Sequence, residues 1–492
     1  MRIQRGDPHP RRLHLAQRRS MRGRTSQNEP GMPRVKCPNM CVALTHRGVT
    51  GRAVLLLFAA VIGGAAVDDA SASVERIRVT PDDRLQAVLD EAPEGADVIL
   101  TAGAHRGPVT IARRVTLRGE DGARLHGTGE GSVLTIDANG VQVDTLHLSR
   151  SGHNLSDDDA GVLVLSDDVR LTSLHLERNL HGIYVRGGEN AVVKDNHVVG
   201  LAAAEDQLEI DPDDVAQHMN GIHHRPPGTQ SLMGNGIHLW NADGAVVVGN
   251  RIEFTRDGIY VAHTNQAVFR DNRIHDSRYG IHYMYSSDNV VAGNELWANV
   301  AGAALMFSRN LEVTDNILRE HSGFRAYGLL LQDVDASVFE RNTIRGNRVG
   351  MRLQASSANT FQDNDLVGNL AGMTINSSSR ENSLTRNRIG PNLRQLELTG
   401  PVPPTDWSID GVGNRWYGAM PLDLTGDGIS QWPHHEVDVM AERRESFPYV
   451  QLLTGSPGIG VVEWSLTRAP VPGMRKITDY HPLVRGRERD HD

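Results

Sequence analysis

A fixed step of 22 residues constrains what this chain can fold into more than any other feature. Gly236, Gly258, Gly280 and Gly302 stand 22 apart; after one step of 26 the series resumes at Gly328, Gly350 and Gly372, again at 22. Asn250, Asn272, Asn294, Asn316, Asn342, Asn364 and Asn387 follow with steps of 22, 22, 22, 26, 22 and 23. Two independent markers sharing one four-residue insertion identify a solenoid.

The residues around the markers say which solenoid. Apolar side chains stand three before each Asn (Val247, Phe269, Val291, Val313, Phe339, Phe361, Leu384) and two after it (Ile252, Ile274, Leu296, Leu318, Ile344, Leu366, Ile389). Others stand one and three after each Gly, as in Ile281 and Tyr283. Each period therefore carries about three short alternating strands and no amphipathic helix of ~10 residues, which excludes helical and leucine-rich repeats. The expectation is an all-β, right-handed parallel β-helix with coils ~4.8 Å apart. The Asn series is expected at one corner, in the left-handed conformation that Asn tolerates, each amide bonding to the next. The Gly series is read as a second corner device.

Upstream, Gly161–Val164 and Gly182–Val185 fit the same frame, and Asp82–Glu91 reads as a short helix covering the open first coil. Residues 201–234 interrupt the period: acids first, then His218, Met219, His223, His224 and Met233. The organisation expected is an export segment over 1–72, the β-helix over 73–390, and a capping, partner-docking segment over 391–492. That last segment holds Trp407, Trp416, Trp432 and Trp464, four of the six tryptophans, and a helix expected near 437–446.

The first 72 residues carry 12 basic and 4 acidic side chains, an uncharged run Ala53–Val67, and Ala70-Ser71-Ala72. That layout reads as a secretory signal, its apolar run short of the ~20 residues that span a bilayer. Cys37 and Cys41 fall inside it, so a processed chain would have no thiolate ligand or disulfide. The net charge of −9 gives no support to nucleic-acid binding.

Many β-helix proteins act on carbohydrates and need clustered carboxylates on one outer face. The outward rows at Gly+2 and Gly+4 offer something else. The first runs Tyr184, His238, Tyr260, His282, Ala304, and the second Trp240, Ala262, Met284, Met306, Gln332. His238, His282, Met284 and Met306 form a candidate copper or copper-partner face, because thioether and imidazole suit Cu(I) where no thiolate exists. Met284 and Met306 fall on neighbouring coils; the two histidines are two coils apart, too far to share one ion. A Met- and aromatic-rich surface for a protein partner is the other reading of this face. The loop set His218, Met219, His223, His224 and Met233 is a second candidate. Asp423–Gly428 resembles half a calcium loop without the acid at its third position.

Gly234–Asn241 (GNGIHLWN), Arg256–Tyr260 (RDGIY) and Arg278–Asn289 (RYGIHYMYSSDN) resemble the NosD family, the periplasmic copper-maturation proteins of nitrous-oxide reductase. Gly413–Trp416, Asp423–Gly428 and His481–Leu483 are similar too, although Thr425 stands where the family expects an acid. The resemblance implies a periplasmic, non-enzymatic maturation factor held at the inner membrane by the membrane subunit of an ABC transporter. It implies a copper chaperone lipoprotein and nitrous-oxide reductase as further partners, with copper bound transiently if at all. A carbohydrate-active or carbohydrate-binding β-helix is the alternative.

Overall fold

The structure is a computed structural model and describes residues 74–201, 234–323, 326–438, 456–468 and 476–484. It is an all-β solenoid of parallel coils. A complete coil contributes one strand to each of three sheets, which hold 14, 13 and 12 strands among the described residues. The first sheet runs from Arg76–Val79 to Thr405–Asp406, the second from Gly103–Arg106 to Arg415–Trp416, and the third from Val109–Ile111 to Arg394–Thr399. The short helix Leu85–Glu91 buries Leu85 and Leu89 beside the first coils. The strands on either side of the interruption, His181–Arg186 and Ile237–Trp240, pair directly, Ile183 with Ile237 and Tyr184 with His238. The stack is therefore continuous across it.

Inward residues form unbroken apolar rows. Val247, Phe269, Phe339, Phe361 and Leu384 are fully buried, as are Ile252, Ile274, Ile344 and Leu366. Phe339 and Phe361 stack with ring centroids 4.9 Å apart. Each such side chain contributes ~1.5–3 kcal/mol relative to exposure. The four-residue insertion lies between strands Ile317–Arg319 and Tyr327–Asp335 and leaves their pairing with the next coil intact.

The two marker series do different work from that expected. From Asn196 to Asn387 the left-handed residue is the one before the ladder asparagine: Asp271, Asp315 and Asp363 have φ of 55°, 57° and 52°. The asparagine itself turns inward, where its amide is buried and fully used. Asn294 Nδ2 donates to Phe269 O at 3.0 Å and Asn316 Oδ1 at 2.9 Å, while Asn294 Oδ1 accepts from Asn272 N and Nδ2, both at 3.0 Å. The same pattern links Asn196, Asn250, Asn272, Asn294, Asn316, Asn342, Asn364, Asn387 and Asn414. It ends on the buried carboxylate of Asp479, which accepts from Asn414 N at 2.8 Å and Trp416 Nε1 at 2.9 Å.

The glycines are not corner residues. They lie within or beside strands of the third sheet, where neighbouring backbones approach closely. A Cβ on Gly258 would sit 2.7 Å from the carbonyl oxygen of Gly280, and one on Gly280 2.7 Å from that of Gly302. Glycine is required there for space, not for φ.

The three sheets continue past Pro391 through Arg394–Thr399, Thr405–Asp406 and Arg415–Trp416. An antiparallel pair, His434–Val437 with Lys476–Asp479, carries Asp479. The helix expected from Val437 begins instead as the end of that strand; residues 439–446 lie outside the described residues. The C-terminal segment's helix is Pro457–Arg468. The export segment also lies outside the described residues. Among the described residues no helix is long and apolar enough to cross a membrane.

Candidate functional site

Strand alternation places Ile281 and Tyr283 in the core, both fully buried, and turns His282 and Met284 to the outer face of the third sheet, half-buried. Cross-strand pairing sets His282 beside Tyr260 and Ala304, and Met284 beside Ala262 and Met306. The two thioethers are thus direct neighbours, on the same face as His282. The Tyr260 hydroxyl donates to Met284 Sδ at 3.8 Å.

His282 is held by a buried ion pair. Asp257 is fully buried at the start of strand Asp257–Ala262. Its carboxylate accepts from Arg278 Nε at 2.8 Å and Nη2 at 2.7 Å, and lies 2.9 Å from His282 Nδ1. Burial by itself would raise the Asp257 pKa, but Arg278 and His282 beside it hold the carboxyl well below the usual carboxylate range. An ionised carboxylate requires Nδ1 to donate. When the ring is neutral, Nε2 of His282 carries the lone pair, the arrangement that orients metal-ligating imidazoles.

His238 stands apart from this group, with Tyr260 between it and His282. It stacks on Tyr184 with centroids 4.1 Å apart and lies 5.3 Å from the buried His181. Burial, with His181 and Arg256 acting in the same sense, pushes the His238 imidazole down to about 3. Its Nε2 is buried without a hydrogen-bond partner. The structure therefore brings His282, Met284 and Met306 together and sets His238 on a separate, cation-flanked aromatic stack. The loop set His218, Met219, His223, His224 and Met233 lies outside the described residues.

Two features escaped the sequence reading. The row one residue beyond the methionines is an aromatic shelf. His263 stacks on Tyr285 at 5.4 Å, and Tyr285 on Phe307 at 4.9 Å. All three take left-handed φ of 50–53°, and Tyr285 is half exposed. The second feature is a histidine row on the second sheet, His147, His175 and His197, with centroids 4.8 and 4.9 Å apart. The signal for both was the same: the position after a marked row, read coil by coil.

The Asp423 turn is satisfied internally. Its carboxylate accepts from Gly426 N at 2.6 Å and Gly428 N at 2.9 Å, hydrogen bonds that hold it below the ordinary aspartate pKa against the opposing effect of burial.

Comparison with known proteins shows the family of this chain. A probable ABC transporter binding protein NosD from Pseudomonas aeruginosa is 35% identical over 402 residues, covering 78% of this chain and 87% of that protein. The chain belongs to the NosD family. A NosD of the same description from Stutzerimonas stutzeri is 33% identical over 403 residues, covering 78% of this chain and 86% of that protein. The family model described as periplasmic copper-binding protein, NosD, matches residues 216–420. A family 28 exopolygalacturonase from Yersinia enterocolitica superposes with a TM-score of 0.49 at 11% identity, over 69% of this chain and 79% of the enzyme. The NosD match takes in His282, Met284, Met306 and the aromatic shelf. The histidine row of the second sheet lies before its first residue.

Proposed function

We propose that this NosD-family chain is a periplasmic accessory protein for assembling the copper centre of nitrous-oxide reductase, and that it catalyses no covalent step itself. Copper is the cargo. Its transient contact is the outer face of the third sheet, with Met284 and Met306 supplying thioethers and His282 its Nε2. The observation that carries this reading is the pairing of two outward methionines beside an imidazole whose other nitrogen is fixed by a buried carboxylate. Outward methionines gain little from burial, and soft sulfur with oriented imidazole suits Cu(I). The aromatic shelf adjoining them offers a copper-bearing partner an apolar, rigid contact.

Export through the 1–72 segment, and docking on the membrane subunit of an ABC transporter through 391–492, belong to the same reading. The names of the relatives support the transporter. So does the exposed apolar surface of the C-terminal segment, where Trp432 and Trp464 are 62% and 59% exposed. A copper chaperone lipoprotein would deliver the ion and the reductase receive it.

The test is the variant His282→Ala/Met284→Ala/Met306→Ala, expressed in cells that depend on this chain for active reductase. Its circular dichroism should match the parent's, and the reductase it supports should lack its catalytic copper. A folded variant that supports full copper content sinks this face as the site. The loop residues His218, Met219, His223, His224 and Met233 are then the next set to change.

A further inference from the structure

The histidine row on the second sheet contains a place built for a cation, in coils that precede the segment matched by the copper-binding family model. His147, His175 and Glu177 come from two neighbouring strands, His147–Ser149 and His175–Glu177, with His147 and His175 paired across them. Each offers one ligand atom, and these atoms all lie within 4.8 Å of one another. His147 Nε2 is 3.0 Å from Glu177 Oε1 and His175 Nε2 is 3.6 Å from Glu177 Oε2. Ligands held at ~2.0–2.1 Å around a tetrahedral ion stand about 3.3 Å apart, between those two values.

Two observations distinguish this cluster from an ordinary surface pair. First, His147 Nε2 is buried and faces the Glu177 carboxylate at 3.0 Å, so the nitrogen is aimed at the cluster. Second, the only charged partners of Glu177 among the described residues are the two imidazoles. The contrast lies further along the same sheet, where Glu253 meets His197 at 2.8 Å and His275 at 3.3 Å but is also paired with Arg251 at 3.3 Å. There a guanidinium already supplies the positive charge; at Glu177 none does.

We infer that His147, His175 and Glu177 bind one divalent cation of borderline character, Zn²⁺ or Cu²⁺, at a site separate from the thioether face. Two imidazoles and one carboxylate without sulfur favour such ions over Cu(I). Three protein ligands leave a coordination position open for water or for a donor from a partner. The site does not depend on the proposed copper handover, because its ligands differ in chemistry, sheet and coil.

The test uses the full-length protein, stripped of metal and titrated with Zn²⁺ and then, in a separate sample, with Cu²⁺, by calorimetry with elemental analysis after dialysis. The parent is expected to take up one equivalent that His147→Ala/His175→Ala loses. Glu177→Gln, which keeps the shape and removes the charge, should weaken uptake at least tenfold. Met284→Ala/Met306→Ala should leave Zn²⁺ uptake unchanged. Zn²⁺ should also raise the melting temperature of the parent and not that of the double histidine variant. The inference is overturned if the parent retains neither ion. It is equally overturned if His147→Ala/His175→Ala, folded by circular dichroism, binds as many equivalents as tightly. Neither result bears on copper assembly at the third sheet.

Discussion

Asp257 reaches from one coil to His282 on the next, its Oδ2 2.9 Å from the imidazole Nδ1, while Arg278 grips the same carboxylate through two nitrogens. One buried acid thereby sets the tautomer of the histidine that faces outward. Charge in the wall of the solenoid and chemistry on its surface are coupled through a single side chain.

Asp257→Asn tests that coupling and carries a pH signature. The folded pKa of Asp257 lies far below its unfolded value of ~3.9. Its contribution to stability is therefore fully present above about pH 4 and is lost as pH falls toward the folded value. At pH 7 the variant should lose about 3 kcal/mol, the low end for breaking a buried pair, because Arg278 retains some solvent contact. Urea unfolding at pH 7 and pH 3 checks this: the gap between parent and variant should shrink at the lower pH. A gap that stays constant would show that the ion pair is not its source.

His321 predicts a second slope at milder pH. It occupies a corner row in which Ser277 and Asn299 precede it and Asn347 and Asn369 follow, accepting from Asn299 N through Nδ1 and donating its backbone N–H to Asn347 Oδ1. Burial lowers its pKa to about 3. The unfolded chain takes up a proton below ~6.5 that the folded chain refuses, so stability falls with pH from there down to about 3, by about 1.4 kcal/mol per unit. His321→Asn should remove that share while keeping the row. His181, lowered to about 4, adds its own share and remains. Proton uptake on unfolding at pH 5 should drop by about one in the variant; an unchanged uptake would refute the assignment.

Asn294→Ala should be among the most damaging single truncations outside the apolar core. It takes the side-chain partner from Phe269 O and Asn272 N and one bond from each flanking amide, buried losses of ~1–3 kcal/mol apiece, for a total of roughly 3–6 kcal/mol. Asn310→Ala, which removes an exposed bond to Asp288 at a left-handed φ of 55°, should cost only ~1 kcal/mol. Chemical denaturation of both variants decides it, and comparable losses would contradict the ladder's role.

Gly280→Ala separates space from conformation. Its new Cβ would meet the Gly302 carbonyl at 2.7 Å and force the coils apart, costing ~1–3 kcal/mol. Gly187→Ala, at φ 79° with nothing near the added carbon, meets conformational strain alone, ~1 kcal/mol. Thermal unfolding should rank Gly280→Ala the more severe; the reverse order would restore the corner interpretation of the glycines.

The solenoid was legible because Gly and Asn repeat at one spacing while apolar residues alternate around them. The same alternation is enough to place Ile281 and Tyr283 inside and His282 and Met284 outside. What a marker does within its coil was not legible. A glycine needed for close approach and one needed for φ look alike in sequence, and the left-handed corner falls on Asp271 rather than Asn272. The bond from Asn196 to Asn250 spans 54 residues across the interruption, which hides the continuity of the ladder. The histidine row was obscured because its coils are irregular: His147 and His175 stand 28 apart, not 22. The Asp257–His282 contact joins residues 25 apart and follows no single row.

The ladder from Asn196 to Asp479 passes the interruption without a gap. A stack bonded through both backbone and side chains resists stretching and bending, so it serves as a ruler. At ~4.8 Å per step, the nine steps along the second sheet from His175–Glu177 to Arg415–Trp416 amount to about 43 Å. On the third sheet, four steps separate Ala160–Val164, in the coil of His175, from Tyr279–Met284, about 19 Å. Those intervals come in whole coils. Inserting or deleting one 22-residue unit would move a site by a single fixed notch and leave its chemistry untouched, which lets a chain of this kind be cut to match the height of whatever it spans.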